Sequence, residues 1–347
     1  MSTPRYRLPA EWEPHKSTIL CWPHQKADWP GKFMPIPWVY TEIIKNIASS
    51  DELVRIIVQS AQDKTKAQRC LKRADVALEN IEFIVTQTDR GWMRDSSPCF
   101  VKQGPETLAV QFTFNGWAKY DNWQLDRHIP ATLSQAMRVD LREAIYNERM
   151  VVLEGGAIDT NGCGTLLTTM ECLLDKTTQV RNPGFSTSDY ATVFARYLGI
   201  TNVIWLNRGI AGDDTHGHVD DLCRFVNRDT VVLCREKNQT DDNYRLLEEN
   251  FERLQDARLE DGAKLNIVSL PMPRPVVFEG LRLPASYANF YIANRSVLAP
   301  TFNDPNDRIA LTILQDLFPD RQVVGIHAVD LVWGLGTIHC LSHEEPM

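Results

Sequence analysis

The chain has 347 residues, 43% of them hydrophobic and 24% charged, which is enough for one large domain whose core needs no staples. A formal net charge of −8 argues against a general nucleic-acid binder and suits a small cationic ligand. No apolar run is long enough to span a bilayer, and the opening "MSTPRYRLPAEWEP" lacks the apolar core of a signal peptide, so neither a membrane nor a secretion route is expected and the cytoplasm is.

In chain order, "WVYTEIIKNIASS" has apolar residues three and four apart and predicts a helix. "RDSSPCFVKQGPETLAVQFT" then reads as two strands joined at Gly104-Pro105, and "EGGAIDTNGCGTLLTT" as two strands joined at Asn161-Gly162. The helix pattern returns in "SDYATVFARYLG". It is followed by the hairpin "GHVDDLCRFVNRDTVVLC", turning at Asn227-Arg228-Asp229, and by a long helical stretch "DDNYRLLEENFERLQDARL". A fourth hairpin, "SYANFYIANRSVLAPTF", turns at Asn294-Arg295. In "NDPNDRIALTILQDLF", Asp304 is the expected N-cap, with Pro305 at the first helical position and Asp307 in the first turn. Eight cysteines are scattered without a CxxC pair, which predicts reduced and mostly buried thiols. No Gly/Ser linker divides the chain, so residues 1–347 are read as one domain.

These elements recur. Polar motifs begin near Asp95, Glu154, His218, Asn289 and Cys340, at intervals of about sixty residues, too long for common solenoids but suited to a mixed strand–helix unit. Repeats arranged around an axis would bring the five polar openings together at one end.

Each motif has a bland and a chemical reading. His216, His218 and Asp220 alternate as a zinc hydrolase site would, yet Asp221 stands where such a site usually has another His, and a hairpin follows. No metal or other cofactor is therefore expected, and His216 is read as a solvated loop residue. Cys340 closes an apolar run, as core cysteines do, but Gly334 and Gly336 let the backbone approach something closely. Arg94 and Asp95 beside Trp92 could be a surface ion pair. Glu154 stands at a strand end before Gly155 and Gly156, where an unpaired carboxylate would be costly, so a cation or donor must face it, a charged His being one such partner.

Taken together, one Cys, one His, two Asp and one Glu match the needs of a guanidinium. That group is planar, permanently charged and offers five N–H donors in a fixed fork. Two carboxylates can hold it, a thiolate can attack its central carbon, and a His can carry protons to departing ammonia.

At this point the sequence resembles the agmatine deiminases of the bacterial-type peptidylarginine deiminase family, within the guanidine-modifying pentein superfamily. The resemblance runs from "PAEWEPHKSTILCWPH" to "IHCLSHEEP" through "WMRD", "FNGW", "LEGGAI", "GTLLTTMECLL", "GHVDDLCRF", "SYANFYI", "PDRQVVGI" and "GTIHC". It implies an α/β fold, a five-bladed pseudo-symmetric propeller of ββαβ modules. It also implies that Cys340 is the nucleophile, His218 the general acid/base and Glu154 its charge partner. Asp95 and Asp220 would bind the guanidinium, Trp92 would flank the substrate, and Asn289 would support the site. The implied reaction is hydrolytic deimination of agmatine to N-carbamoylputrescine and ammonia, a step of polyamine biosynthesis towards putrescine. Peptidylarginine or free arginine are the alternative substrates, and a homodimer is the implied assembly. Three motifs depart from the family pattern: Leu335 and Thr337 in "WGLGTIHC", Ser96-Ser97 after "WMRD", and Asp221 for an expected Asn. None removes a catalytic group, and all bear on pocket shape.

Overall fold

The computed structural model describes residues 6–49 and 52–347. Met1–Arg5, the start of the stretch read for a signal peptide, and Ser50, the last residue of the first expected helix, lie outside the described residues. Among the described residues, no helix is long and apolar enough to cross a membrane.

The architecture is a repeated α/β unit. Strand Cys99–Gln103 turns at Gly104-Pro105 into Glu106–Gln111, and helix Ile129–Met137 then carries the chain back so that Asp140–Glu143 pairs in parallel. The same order recurs three times. Asp159–Thr160 and Thr165–Thr169 are followed by helix Thr187–Leu198 and strand Asn202–Leu206. Cys223–Asn227 and Thr230–Arg235 are followed by helix Asp242–Gln255 and strand Asn266–Pro271. Tyr291–Ile292 and Ser296–Thr301 are followed by helix Asn306–Leu317 and strand Gln322–His327. A tight turn can join antiparallel strands but a parallel return needs a crossover, and this is why each unit carries a helix.

The fifth unit is split between the chain's ends. Strand His343–Pro346 lies antiparallel to His15–Cys21, which pairs in parallel with Leu53–Val58 after helix Ile36–Ala48. A further helix, Ala61–Arg73, and strand Ile81–Val85 extend this sheet to four strands, an addition the sequence reading did not foresee. Its cause is local: Ser60 caps the helix by accepting from the Asp63 amide.

The central strands are buried throughout, as in Leu53–Val58 and Thr230–Arg235, and read as continuous apolar runs because both faces are covered. The helices bury one stripe each, such as Asn243, Leu247, Asn250 and Leu254. Two boundaries differ from expectation. Helix Asp242–Gln255 stops short of Leu259, whose amide instead donates to Ala263 in a turn. The last long helix begins at Asn306 with Pro305 as its cap, one position later than expected. Asp304 still caps its amides by accepting from Asn306, while Asp307 accepts from the Asp304 amide.

Candidate active site

Each of the five polar openings lies on a short turn just before the first strand of its unit. Asp95 sits in Met93–Ser96, Glu154 caps Gly155–Ala157, and His218 caps Val219–Asp221. Asn289 lies two residues before Tyr291–Ile292, and Cys340 sits in Ile338–Leu341. Repetition of one local geometry therefore brings residues more than two hundred positions apart into contact.

The Cys340 thiol is held from several sides. Asn289 Nδ2 donates to Sγ at 3.1 Å and to Asp221 Oδ1 at 3.0 Å. The amide oxygen of Asn289 accepts from Thr337 Oγ1 at 2.7 Å and from the His339 amide at 3.1 Å, which fixes the turn that carries the cysteine. Asn289 is thus tied to the nucleophile's own turn and is absent from the cleft lining. Asp220 Oδ2 lies 3.8 Å from Sγ. Burial, then the charges of Asp220 and Asp95, push the thiol well above its usual range.

His218 stands between two carboxylates, with Nδ1 3.9 Å from Asp95 Oδ1 and Nε2 3.8 Å from Glu154 Oε2. Burial disfavours its charge, but Asp95, Cys172 and Glu154 outweigh burial and raise its pKa well above the ordinary value. Asp95 is fixed by the Gly156 amide at 3.0 Å and the Trp117 indole at 2.8 Å. Gly156 allows this approach, because a Cβ there would collide with the His218 ring and lie 3.0 Å from Asp95 Oδ1. Burial, with Asp220 and Glu154 nearby, raises the Asp95 carboxyl despite His218.

Glu154 does find its cation, and the nearer one is Arg181. Nε donates to Glu154 Oε1 at 3.0 Å, while the two terminal nitrogens donate to the carbonyls of Gln179 at 2.9 Å and Thr215 at 2.5 Å. Burial opposes ionisation of Glu154, yet Arg181 and then His218 draw its pKa down to about 2. The sequence reading had named His218 alone. Arg181 lies 27 residues downstream in a loop, with no motif to mark it.

The segment 216–220 differs from the extended strand that alternation suggested. Gly217 (φ 92°) and His216 (φ 66°) take left-handed backbone, and Val219–Asp221 forms a tight 3-10 turn. His218 and Asp220 therefore leave the backbone in different directions, one towards Glu154 and the other towards His339. His216 shares no face with them, and its Nε2 meets Asp175 Oδ2 at 2.9 Å. The three proposed zinc ligands are not brought together.

Two other groups have ligand atoms within 4.8 Å of one another, namely Glu154, Cys172 and His218, and Asp220, Asp221 and Cys340. Their chemistry disfavours a metal. Arg181 occupies Glu154, the raised pKa of His218 keeps its proton on, and Asp221 is raised well above the carboxylate range by burial and Asp220.

Cys340 and Asp95 open onto a cleft of about 230 Å³. It is lined by Trp92, Trp117, Leu335 and Gly336 and by the polar Asp28, Arg90, Tyr120, Asp214 and Thr215. Gly336 packs so closely that a Cβ would lie 2.8 Å from Trp92 and 3.2 Å from Sγ. Asp28 accepts from the Trp92 indole at 3.1 Å and from Arg90 at 3.0 Å, and burial pushes its pKa up to about 6. The second terminal nitrogen of Arg90 is bonded to Asn122 at 2.9 Å, and its guanidinium stacks on Tyr120. An acid-lined slot with apolar walls and a buried thiol can hold a slender dication and attack one end of it.

Comparison with known proteins follows the same line. Residues 7–346 match the family described as Porphyromonas-type peptidyl-arginine deiminase. The agmatine deiminase of Ectopseudomonas mendocina (strain ymp) is 34% identical, covering 99% of this chain and 97% of its own length. Among solved structures, the agmatine deiminase of Enterococcus faecalis superposes with a TM-score of 0.89 at 29% identity, covering 100% of this chain and 98% of that one. An agmatine deiminase variant of C. jejuni with substrate bound gives 0.87 at 28% identity, covering 99% and 96%.

Proposed function

The chain belongs to the Porphyromonas-type peptidyl-arginine deiminase family, and from that membership we propose that it is an agmatine deiminase. It hydrolyses the guanidinium of agmatine to N-carbamoylputrescine and ammonia. The observation that carries agmatine over arginine is the charge balance of the cleft lining. Arg90 is already bonded to Asp28 and Asn122, and Asp214 already accepts from Lys119 and Tyr120, so an α-carboxylate would meet acids and engaged cations. Trp92, Trp117 and Leu335 beside the thiol suit a tetramethylene chain.

The mechanism uses the chain's own groups. Asp95 and Asp220 hold the guanidinium with its carbon facing Sγ. Deprotonated Cys340 adds to that carbon, giving a tetrahedral adduct. His218 gives its proton to the leaving nitrogen, the C–N bond breaks, and ammonia departs to leave an S-linked thiouronium. Neutral His218 then takes a proton from water, whose oxygen bonds to the same carbon. Collapse breaks the C–S bond, returns the thiolate and releases the urea product. In the empty site burial, with the charges of Asp220 and Asp95, holds the thiol protonated, and an incoming cation offsets those charges, so substrate helps create its own nucleophile. All eight cysteines are unpaired thiols, Cys163 exposed, which fits the reducing cytoplasm where we place the enzyme.

Ammonia release measured side by side on agmatine, arginine and an arginine peptide tests the assignment. Agmatine is expected to lead in kcat/KM by at least about tenfold, the value of one well-placed polar discrimination. A faster reaction with the peptide would overturn it.

A further inference from the structure

His339 directly precedes the nucleophile on the same turn, so its side chain leaves the backbone about 100° away from that of Cys340. The thiol faces the cleft and the imidazole faces the interior. There both ring nitrogens meet carboxylates: Nδ1 lies 2.7 Å from Asp220 Oδ2, and Nε2 lies 2.7 Å from Glu11 Oε2. Ionised carboxylates only accept, so the ring donates to each.

Glu11 is itself immobilised. Its Oε1 accepts from the Ile292 amide at 2.8 Å and pairs with Arg224 at 3.0 Å, while Oε2 also pairs with Arg94 at 3.1 Å. Arg94 and Arg224 are both fully or nearly fully buried. The chain of contacts therefore runs from a rigid interior, through one imidazole, to one oxygen of Asp220. The other oxygen, Oδ1, is buried without a hydrogen-bond partner. Leaving a carboxylate oxygen in that state is costly unless a ligand completes it.

We propose that His339 is a positioning residue for guanidinium binding: braced by Glu11, it clamps Asp220 Oδ2 and so holds Oδ1 towards the substrate before substrate arrives. The inference rests on the deiminase reading and adds to it a residue pair, Glu11 and His339, that touches no substrate. The energetic logic is preorganisation. A freely rotating Asp220 would lose side-chain freedom on binding, whereas a clamped one has lost it during folding.

Binding is measured by calorimetry on Cys340→Ala, which cannot turn agmatine over. Adding His339→Gln is expected to raise the agmatine Kd roughly 10- to 100-fold, the scale seen when an outer hydrogen-bond partner of a ligand-holding group is lost. Glu11→Gln, which leaves the cysteine turn untouched and keeps an acceptor, should raise it several-fold. In an Asp220→Asn background the further change on His339→Gln should fall below about twofold, because the group it positions is already impaired. With Cys340 intact, His339→Gln should raise KM more than it lowers kcat. An unchanged Kd in both His339→Gln and Glu11→Gln overturns the proposal. So does an equal loss with and without Asp220→Asn, which would mark a general structural role. If His339→Gln fails to fold, Glu11→Gln decides. Failure of the deiminase reading is separate: the parent Cys340→Ala protein would then bind no agmatine, and the same cycle would be run with the guanidine that it does bind.

Discussion

The turn Ile338–Leu341 has two sides, and they treat charge in opposite ways. On the inner side, Glu11 is set against His339, Arg94 and Arg224 at 2.7 to 3.1 Å, opposite charges all supplied by the chain itself. Around the thiol and His218, three buried polar atoms make no hydrogen bond: Asp220 Oδ1, Glu154 Oε2 and His218 Nε2. The interior ion pairs join residues far apart in the chain, so they serve rigidity. The cleft side holds unmatched groups at 3.8 to 3.9 Å, a spacing too long for a hydrogen bond and suited to a group that arrives and leaves. Unpaired polar atoms in a buried site mark the place of the ligand, and the matched network behind them keeps them from collapsing onto one another.

The sharpest way to break this contrast is to remove the thiol. Cys340→Ala should abolish ammonia release, by at least about 10⁴-fold, while agmatine binding is largely kept. Cys163→Ala is the control, since that thiol is exposed and remote from the cleft lining. Burst kinetics and calorimetry together check the point. Residual turnover near that of the parent would remove Cys340 from the cleft chemistry and with it the reason for the unmatched groups.

A second test moves a residue from the matched class to the unmatched one. Arg181→Gln leaves the Glu154 carboxylate buried without its cation, which costs about 3–5 kcal/mol for a broken buried pair unless the carboxyl takes up a proton. The sign follows from the depressed pKa. Glu154 at about 2 contributes stability that is present above its unfolded value near 4.5 and is lost as pH falls towards about 2. In Arg181→Gln that acid-side slope should flatten, because burial alone raises the carboxyl. A neutral Glu154 also holds the His218 charge less firmly, and kcat should drop by about 10², the low end of a general acid/base contribution. Thermal melts from about pH 2 to 7 measure the first, and kcat near neutral pH measures the second. A variant with parental melting and parental kcat would show that Arg181 is dispensable to the pair.

The contrast also separates what a sequence shows from what it hides. The positions of Asp95, Glu154, His218, Asn289 and Cys340 are legible because one local unit repeats, so equivalent turns land at one end. The partners of these residues are less legible, because they come from elsewhere. Glu11 reaches His339 across 328 positions and Arg181 reaches Glu154 across 27, and no period or spacing encodes either contact. His339 had a signal, a polar ring inside the buried stretch before the nucleophile, and it was overshadowed by the cysteine beside it. The fifth hairpin was hidden for a plainer reason: its two strands, His15–Cys21 and His343–Pro346, are the two ends of the chain. The alternation of His216, His218 and Asp220 does not put them on one face, because Gly217 takes left-handed backbone between them.

The smallest expected effect tests the border between the two sides. Asp221 stands where relatives of this pattern are expected to have Asn, and an ionised carboxylate beside Asp220 and Cys340 would repel both. Burial first, and Asp220 second, raise its pKa well above the carboxylate range, so the group stays protonated and neutral. Its Oδ1 accepts from Asn289 Nδ2 at 3.0 Å, as an amide oxygen would. A protonated carboxyl and a carboxamide thus fill the same role, one acceptor oxygen and one donor in the same plane. Asp221→Asn should therefore change kcat/KM by no more than about fivefold near neutral pH, within the net worth of one hydrogen bond. The two forms should part only where rising pH ionises Asp221. Its charge would then raise the Cys340 thiol further, and the parent would lose activity while Asp221→Asn keeps it. A pH–rate profile with identical alkaline limbs would place Asp221 among the matched interior charges instead, ionised and already compensated.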